Sequence, residues 1–141
     1  MAETLRYLLD THVWFWLVRG REGRLAARTA ARLEQTARGA PLGVSVISIW
    51  EIALLASKGR IGLGMPMHEW VESALNRPGF MLADLEPATA IESCALPGEF
   101  HADPADRFLV ATARLKNMVI VTRDNRILTY GKQGHVKVMA A

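Results

Sequence analysis

Short apolar runs alternate along this chain with longer stretches whose apolar residues recur every three or four positions. The runs Tyr7–Leu9, Val44–Ile47, Phe80–Leu85, Met118–Thr122 and Val136–Met139 lack the in-out alternation of a half-solvated strand. Each therefore predicts a strand buried on both faces, the last at a sheet edge. Helical spacing predicts a short helix from Thr11, its cap, to about Leu17, then helices over Leu25–Thr36, Ser48–Ser57, Pro66–Leu75, Pro87 to just before Pro97, and Asp103–Lys116. A short helix or turn is expected over Asn125–Tyr130. Gly59, Pro78-Gly79 and Pro97-Gly98 punctuate the pattern where periodicity lapses. Strands alternating with helices predict an α/β fold, a parallel sheet covered by helices on both sides.

That architecture changes how five carboxylates are read. In open parallel sheets, ligands bind beyond the carboxyl ends of the strands. Asp10 and Asp124 fall just past such ends, and Glu51, Asp103 and Asp106 fall in expected first turns of helices on the same edge. Each has a structural explanation when taken alone. Ser48-Ile49-Trp50-Glu51 has the form of a capping box. Asp103-Pro104-Ala105-Asp106 reads as an N-cap, a first-turn proline and an acid complementing the helix dipole. Asp10 can cap the first helix, and Asp124 suits a turn. Taken together, the caps would stack like charge on one edge, which calls for a cation. An oxygen-only donor set selects Mg²⁺ or Mn²⁺, and the lack of a Cys or His cluster argues against zinc. Metal-assisted phosphodiester hydrolysis is the reaction class that follows.

Composition narrows the setting. The 141 residues predict one domain, 1–141, and with 50% hydrophobic and 22% charged residues the chain is not of the disordered class. A net charge of +3 suits a polyanionic partner without resembling a basic tail. Cys94 is the sole cysteine, which rules out an internal disulfide, and its place in an apolar helical pattern reads as core filling. Val13–Val18 is too short to span a bilayer, and no export signal frames it, so a cytoplasmic protein is expected.

Leu8-Leu9-Asp10-Thr11-His12, Ser48-Ile49-Trp50-Glu51-Ile52, Asp103-Pro104-Ala105-Asp106-Arg107 and Thr122-Arg123-Asp124 resemble, in order and spacing, the four signature segments of PIN-domain ribonucleases. The likeness is closest to VapC-type toxins and covers essentially the whole chain. It implies a three-layer α/β/α fold with a mostly parallel sheet of four to five strands, and a Mg²⁺- or Mn²⁺-dependent endoribonuclease. It also implies inhibition by a cognate antitoxin and a homodimer. By position, Asp10, Glu51, Asp106 and Asp124 match the family's acids, with Thr122 as a polar helper; Asp103 matches an extra aspartate, either cap or ligand. On this reading Asp10 and Asp106 bind the main ion, while Glu51 and Asp124 complete the shell, hold a second ion or orient the attacking water. Two other classes compete: a catalytically silent binding module on the same fold, and another Mg²⁺-dependent phosphoryl hydrolase.

Arg107, Arg123 and Arg126 lie beside the acids and either hold RNA phosphates or pair with the carboxylates. Arg19, Arg21, Arg24, Arg28 and Arg32 form a second basic stretch, three of them on one expected helical face that reads as solvated. His12 and His101 flank acidic segments without metal-ligand spacing and read as hydrogen-bonding neighbours of the site. Trp14, Phe15 and Trp16 are consecutive, so one helix face cannot bury all three. They suggest a partner interface, unless the helix is wedged between others.

Overall fold

The computed structural model describes residues 6–20 and 24–141, so Arg21 of the basic stretch lies outside the described residues. The elements run β1 (Tyr7–Leu9), α1 (Thr11–Arg19), α2 (Ala27–Gly39), β2 (Leu42–Ser45), α3 (Val46–Ser57), α4 (Met67–Leu75), β3 (Phe80–Ala83), α5 (Pro87–Ser93), α6 (Pro104–Lys116), β4 (Val119–Thr122), α7 (Asn125–Lys132) and β5 (Lys137–Ala140). The strands form one five-stranded sheet in the order β3-β2-β1-β4-β5, every pair parallel. The chain winds outward from β1 through β2 to β3, then returns to lay β4 against the other side of β1. The switch point therefore falls between β1 and β4, where Leu9 pairs with Val121.

The sheet divides the core into two layers. Leu8, Ile120 and Ala83 pack with Leu109, Val110, Ile127 and Tyr130 from α6 and α7. Leu9, Val44 and Val121 point the other way, onto Val13, Trp14, Leu33 and Trp70 from α1, α2 and α4. Alternate residues of a strand face opposite sides, so a run that is apolar throughout must be covered on both. Helix α3 crosses the end of the sheet: Ile47 joins the first layer and Ile52 the second. Among the described residues, no helix is long and apolar enough to cross a membrane.

Several sequence expectations shift. The first helix is capped by Asp10, whose Oδ1 accepts the Thr11 amide at 2.7 Å, not by Thr11 itself. Strand β2 begins two residues earlier than expected, and Ser45 is the cap of α3, its hydroxyl accepting the Ile47 amide at 3.1 Å. Ser48 and Glu51 therefore lie inside α3 and make no capping box. Arg24 precedes α2, which leaves Arg28 and Arg32 on that exposed face. Cys94 terminates α5 and is exposed, because the helix ends before the apolar pattern does.

The interface expected at Trp14 and Phe15 gives way to core packing. Both side chains are buried, with ring centroids 5.3 and 5.7 Å from that of Trp70. Helix α1 is wedged between its neighbours, so that Trp16 alone of the three stays partly exposed.

Candidate active site

The loop after β1 and the loop after β4 meet at the switch point, joined by one side-chain contact. Thr122, the last residue of β4, donates its hydroxyl proton to Asp10 Oδ2 at 2.7 Å. Thr122 Oγ1 in turn accepts the Asp124 amide at 2.9 Å, which aims the next acid toward the edge. Asp10 thus spends one oxygen on capping α1 and the other on Thr122. Burial pushes its carboxyl above the usual range, and the hydrogen bonds from Thr122 and Thr11 work against that push.

Glu51 reaches the same edge from the second turn of α3. The buried Thr11 hydroxyl donates to Glu51 Oε1 at 2.5 Å and lies 2.8 Å from the Ser48 hydroxyl. Thr11 and Ser48 were not singled out as site residues by sequence reasoning. The available signal was a hydroxyl next to Asp10 and a second one on the same helix face as Glu51, three residues apart. Burial raises the Glu51 carboxyl, and Thr11 lowers it. Thr11→Val keeps the shape of a fully buried side chain but removes that donor. Cleavage should fall about 10- to 100-fold, as expected when a supporting hydrogen bond to a ligand is removed. Steady-state rates beside a melting curve check this; an unchanged rate would remove Thr11 from the site.

Helix α6 supplies the remaining pair. Asp103 is its N-cap, Oδ1 accepting the Ala105 amide at 3.2 Å, with Pro104 in the first position. Of the two roles left open for Asp103, capping is the one the geometry displays. One turn on, Asp106 is buried, and its carboxyl is pushed up to about 8, first by burial and then by Asp10, Asp103, Asp124 and Glu51. Those neighbours place all five acids in one electrostatic cluster. Asp124 differs. Burial pushes it up, but the side chain and backbone of Arg126 outweigh that and hold it below the ordinary value.

An arginine and a histidine line the cluster. Arg126 sits 3.0 Å from Asp124 Oδ2 and 3.7 Å from Asp106 Oδ2, so it pairs with the carboxylates. His101 Nε2 lies 3.0 Å from Asp106 Oδ2 but misses hydrogen-bond geometry, so the two groups are close without a directed bond. Its Nδ1 accepts the Asp103 amide at 3.3 Å, and burial followed by Arg126 lowers its pKa.

Arg107 corrects the expectation of an RNA contact. Its guanidinium donates to the carbonyls of Ser93, Phe100 and His101 at 2.7, 3.0 and 3.1 Å, clamping the loop that presents His101. Arg123 turns away from the acids, its guanidinium 5.4 Å from the Trp16 ring centroid and bonded to the Arg24 carbonyl. A cavity of about 710 Å³ around Asn117, Met118 and Lys137 lies at the opposite edge of the sheet, remote from this chemistry.

Among the described residues, no three His, Cys, Asp or Glu side chains already stand in a closed metal-ligating group. The donor chemistry nevertheless fits a hard divalent ion. Its oxygens all come from carboxylates, and a carboxyl raised to about 8 by burial and like charges marks a place where added positive charge is strongly favoured. Asp10, Asp106, Glu51 and Asp124 are the residues that would hold such an ion.

Comparison with known proteins places these features. A family model described as PIN domain matches residues 7–133. Ribonuclease VapC22 of Mycobacterium tuberculosis is 32% identical over 123 residues, 87% of this chain and 90% of that protein. Among solved structures, VapBC2 of Rickettsia felis bound to a promoter DNA fragment aligns at TM-score 0.72 and 14% identity, covering 96% of this chain and 98% of that one. DNA-bound VapBC of Salmonella typhimurium aligns at 0.68 and 15%, covering 97% and 98%. At such identities these structures speak for the fold alone.

Proposed function

The chain belongs to the PIN-domain family, and on that premise we propose that it is a VapC-type toxin, an endoribonuclease that hydrolyses RNA phosphodiester bonds with a carboxylate-held Mg²⁺ or Mn²⁺. The observation that carries this reading is the convergence of Asp10, Glu51, Asp106 and Asp124 at the switch point, with Asp106 raised to about 8. Bound there, the ion would supply the Lewis acidity that attack by water on a phosphodiester requires. Asp10 and Asp106 would anchor it. Glu51, oriented by Thr11, faces the same space and is placed to take the proton of the attacking water or to hold a second ion. Thr122 fixes the Asp10 carboxylate, and Arg126 can turn from Asp124 to a phosphate oxygen of the substrate.

A cognate antitoxin and a second copy of the chain are the partners we propose, acting in the cytoplasm. Support for a protein partner comes from α3, where Trp50 is 49% exposed beside the part-exposed Ile49 and Ala53. The competing reading, a silent binding module, has Arg126 in its favour, since a guanidinium already neutralises part of the cluster.

One experiment separates the two. Purified protein free of any partner is incubated with total cellular RNA in Mg²⁺, Mn²⁺ or EDTA, and the cut ends are mapped. Discrete cuts bearing 5′-phosphate and 3′-hydroxyl ends, absent in EDTA, are expected. Ends carrying a 2′,3′-cyclic phosphate would reject the water mechanism, and no cutting by folded, metal-loaded protein would leave the binding module.

A further inference from the structure

Beside the acids, a groove of about 440 Å³ runs between α1, α3 and the loop that follows α3. His12, Trp16 and Arg19 form one wall and Leu55 and Arg60 the other, with Arg24 at its end. Among the described residues no acid lines it, in contrast to the all-carboxylate cluster next door. Its cations fall into two kinds. Arg19 is committed, 4.7 Å from the Phe15 ring centroid and bonded to the Gly62 carbonyl. The exposed side chains of Arg24 and Arg60 have no hydrogen-bond or ion-pair partner among the described residues.

The groove also carries aromatic surface. His12 is exposed and lies 5.7 Å, centroid to centroid, from the part-exposed Trp16, whose ring also carries the Arg123 guanidinium 5.4 Å from its centroid. It directly follows Thr11, the residue that holds Glu51, so the groove opens two positions along the chain from Asp10.

We propose that this groove is a subsite for single-stranded RNA, holding nucleotides adjacent to the phosphodiester being cut. The inference rests on the ribonuclease reading above. A strand crossing the carboxylates meets like charge there and needs cations on either side to hold it. Arg24 and Arg60 supply fixed positive charge for backbone phosphates, and the ring surface of His12 and Trp16 supplies a platform for a base. Stacking on a side chain needs an unpaired base, which selects a loop or free end over a duplex. An acidic peptide would satisfy the arginines but leave the ring platform unused.

The test uses an Asp106→Asn background, so that RNA is bound without being cut. A labelled mixed-sequence 12-nucleotide single strand, and the duplex of the same sequence, are titrated over a series of salt concentrations. With Arg24→Gln and Arg60→Gln together, affinity for the single strand should fall about tenfold. The slope of log affinity against log salt should flatten by about 1.4, roughly 0.7 for each phosphate no longer neutralised. Trp16→Leu should weaken binding about tenfold with the slope unchanged, since stacking releases no counterions.

The arginines are exposed, so the double variant keeps the test decisive should Trp16→Leu fold poorly. Unchanged affinity and slope in the arginine variant would overturn the inference alone, as would a variant that loses only binding to an antitoxin. Equal binding of the duplex would overturn it too. A background protein that binds no RNA, together with a wild type that cuts none, would remove both this inference and the ribonuclease reading.

Discussion

Asp106→Asn is expected to abolish RNA cleavage while raising the melting temperature of the metal-free protein. The two effects share one cause. A buried carboxyl surrounded by four others is a good place for a divalent ion and a poor place for a bare negative charge. Removing the ligand forfeits several kcal/mol of charge stabilisation, or about a thousandfold or more in rate. In stability the sign runs the other way. The folded chain holds the Asp106 proton up to about pH 8, while the unfolded chain releases it near 3.8. Wild-type stability without metal is therefore undiminished below about pH 4, falls as pH rises through this window, and is lowest above it.

Asparagine does not ionise and escapes that loss. Half of the shift, to allow for solvent relaxation, corresponds to about 3 kcal/mol at 1.36 kcal/mol per unit. For a chain of this length that is a rise on the order of 10 °C at pH 8. Melting curves from pH 4 to 8 in EDTA, with and without excess Mn²⁺, check it. Equal or lower melting of the variant at pH 8 would show that Asp106 is not under this strain.

Asp10 should separate chemistry from scaffolding. Asp10→Asn and Asp10→Ala are both expected to lose cleavage to about the extent of Asp106→Asn, but they should diverge in stability. Asparagine retains an acceptor for the Thr11 amide and so keeps the cap, while its amide group turns a donor toward Thr122 Oγ1 in place of the acceptor that the carboxylate supplied. Alanine loses the cap of α1, about 1 kcal/mol, and leaves a void beside the fully buried Thr122 hydroxyl that asparagine fills, on the order of 1 kcal/mol more. Relief of the desolvated charge is common to both variants and cancels in the comparison, leaving alanine about 2 kcal/mol less stable than asparagine. Paired urea melts with cleavage assays measure both effects. Matching stabilities would mean that the β1–β4 link contributes nothing to folding.

Much of this fold and site was legible in the sequence, for identifiable reasons. Asp103-Pro104 declares a helix start in any context, because proline suits the first turn and aspartate the cap, and both took those places. The apolar runs declared buried strands, and all five formed the sheet, although the edge strands β3 and β5 are only partly covered. Local signals failed where tertiary packing set the outcome. Ser48 and Glu51 have the spacing of a capping box, but β2 pairs with β1 and β3 from Leu42 onward, and this moves the start of α3 upstream to Ser45. Arg107 looked like its neighbours Arg123 and Arg126. Only the loop folding back over α6 shows three carbonyls converging on it. The groove beside α1 joins residues from positions 12 to 62, and no spacing rule connects Arg24 with Arg60.

The bond between Thr122 and Asp10 spans 112 residues, and it has a consequence for the order in which the protein becomes dangerous. During synthesis Asp10 and Glu51 emerge early, Asp10 just after β1 and Glu51 on the helix that follows β2, ahead of β4. Asp106 and Asp124 emerge late, and β4 must insert beside β1, a long-range closure that is slow compared with helix formation. A chain interrupted before β4 lacks Thr122 and Asp124 and cannot assemble the acid cluster. Until β4 has been made, the growing chain therefore carries an incomplete cluster. Competence arrives only once β4 has inserted beside β1 and brought Thr122 against Asp10.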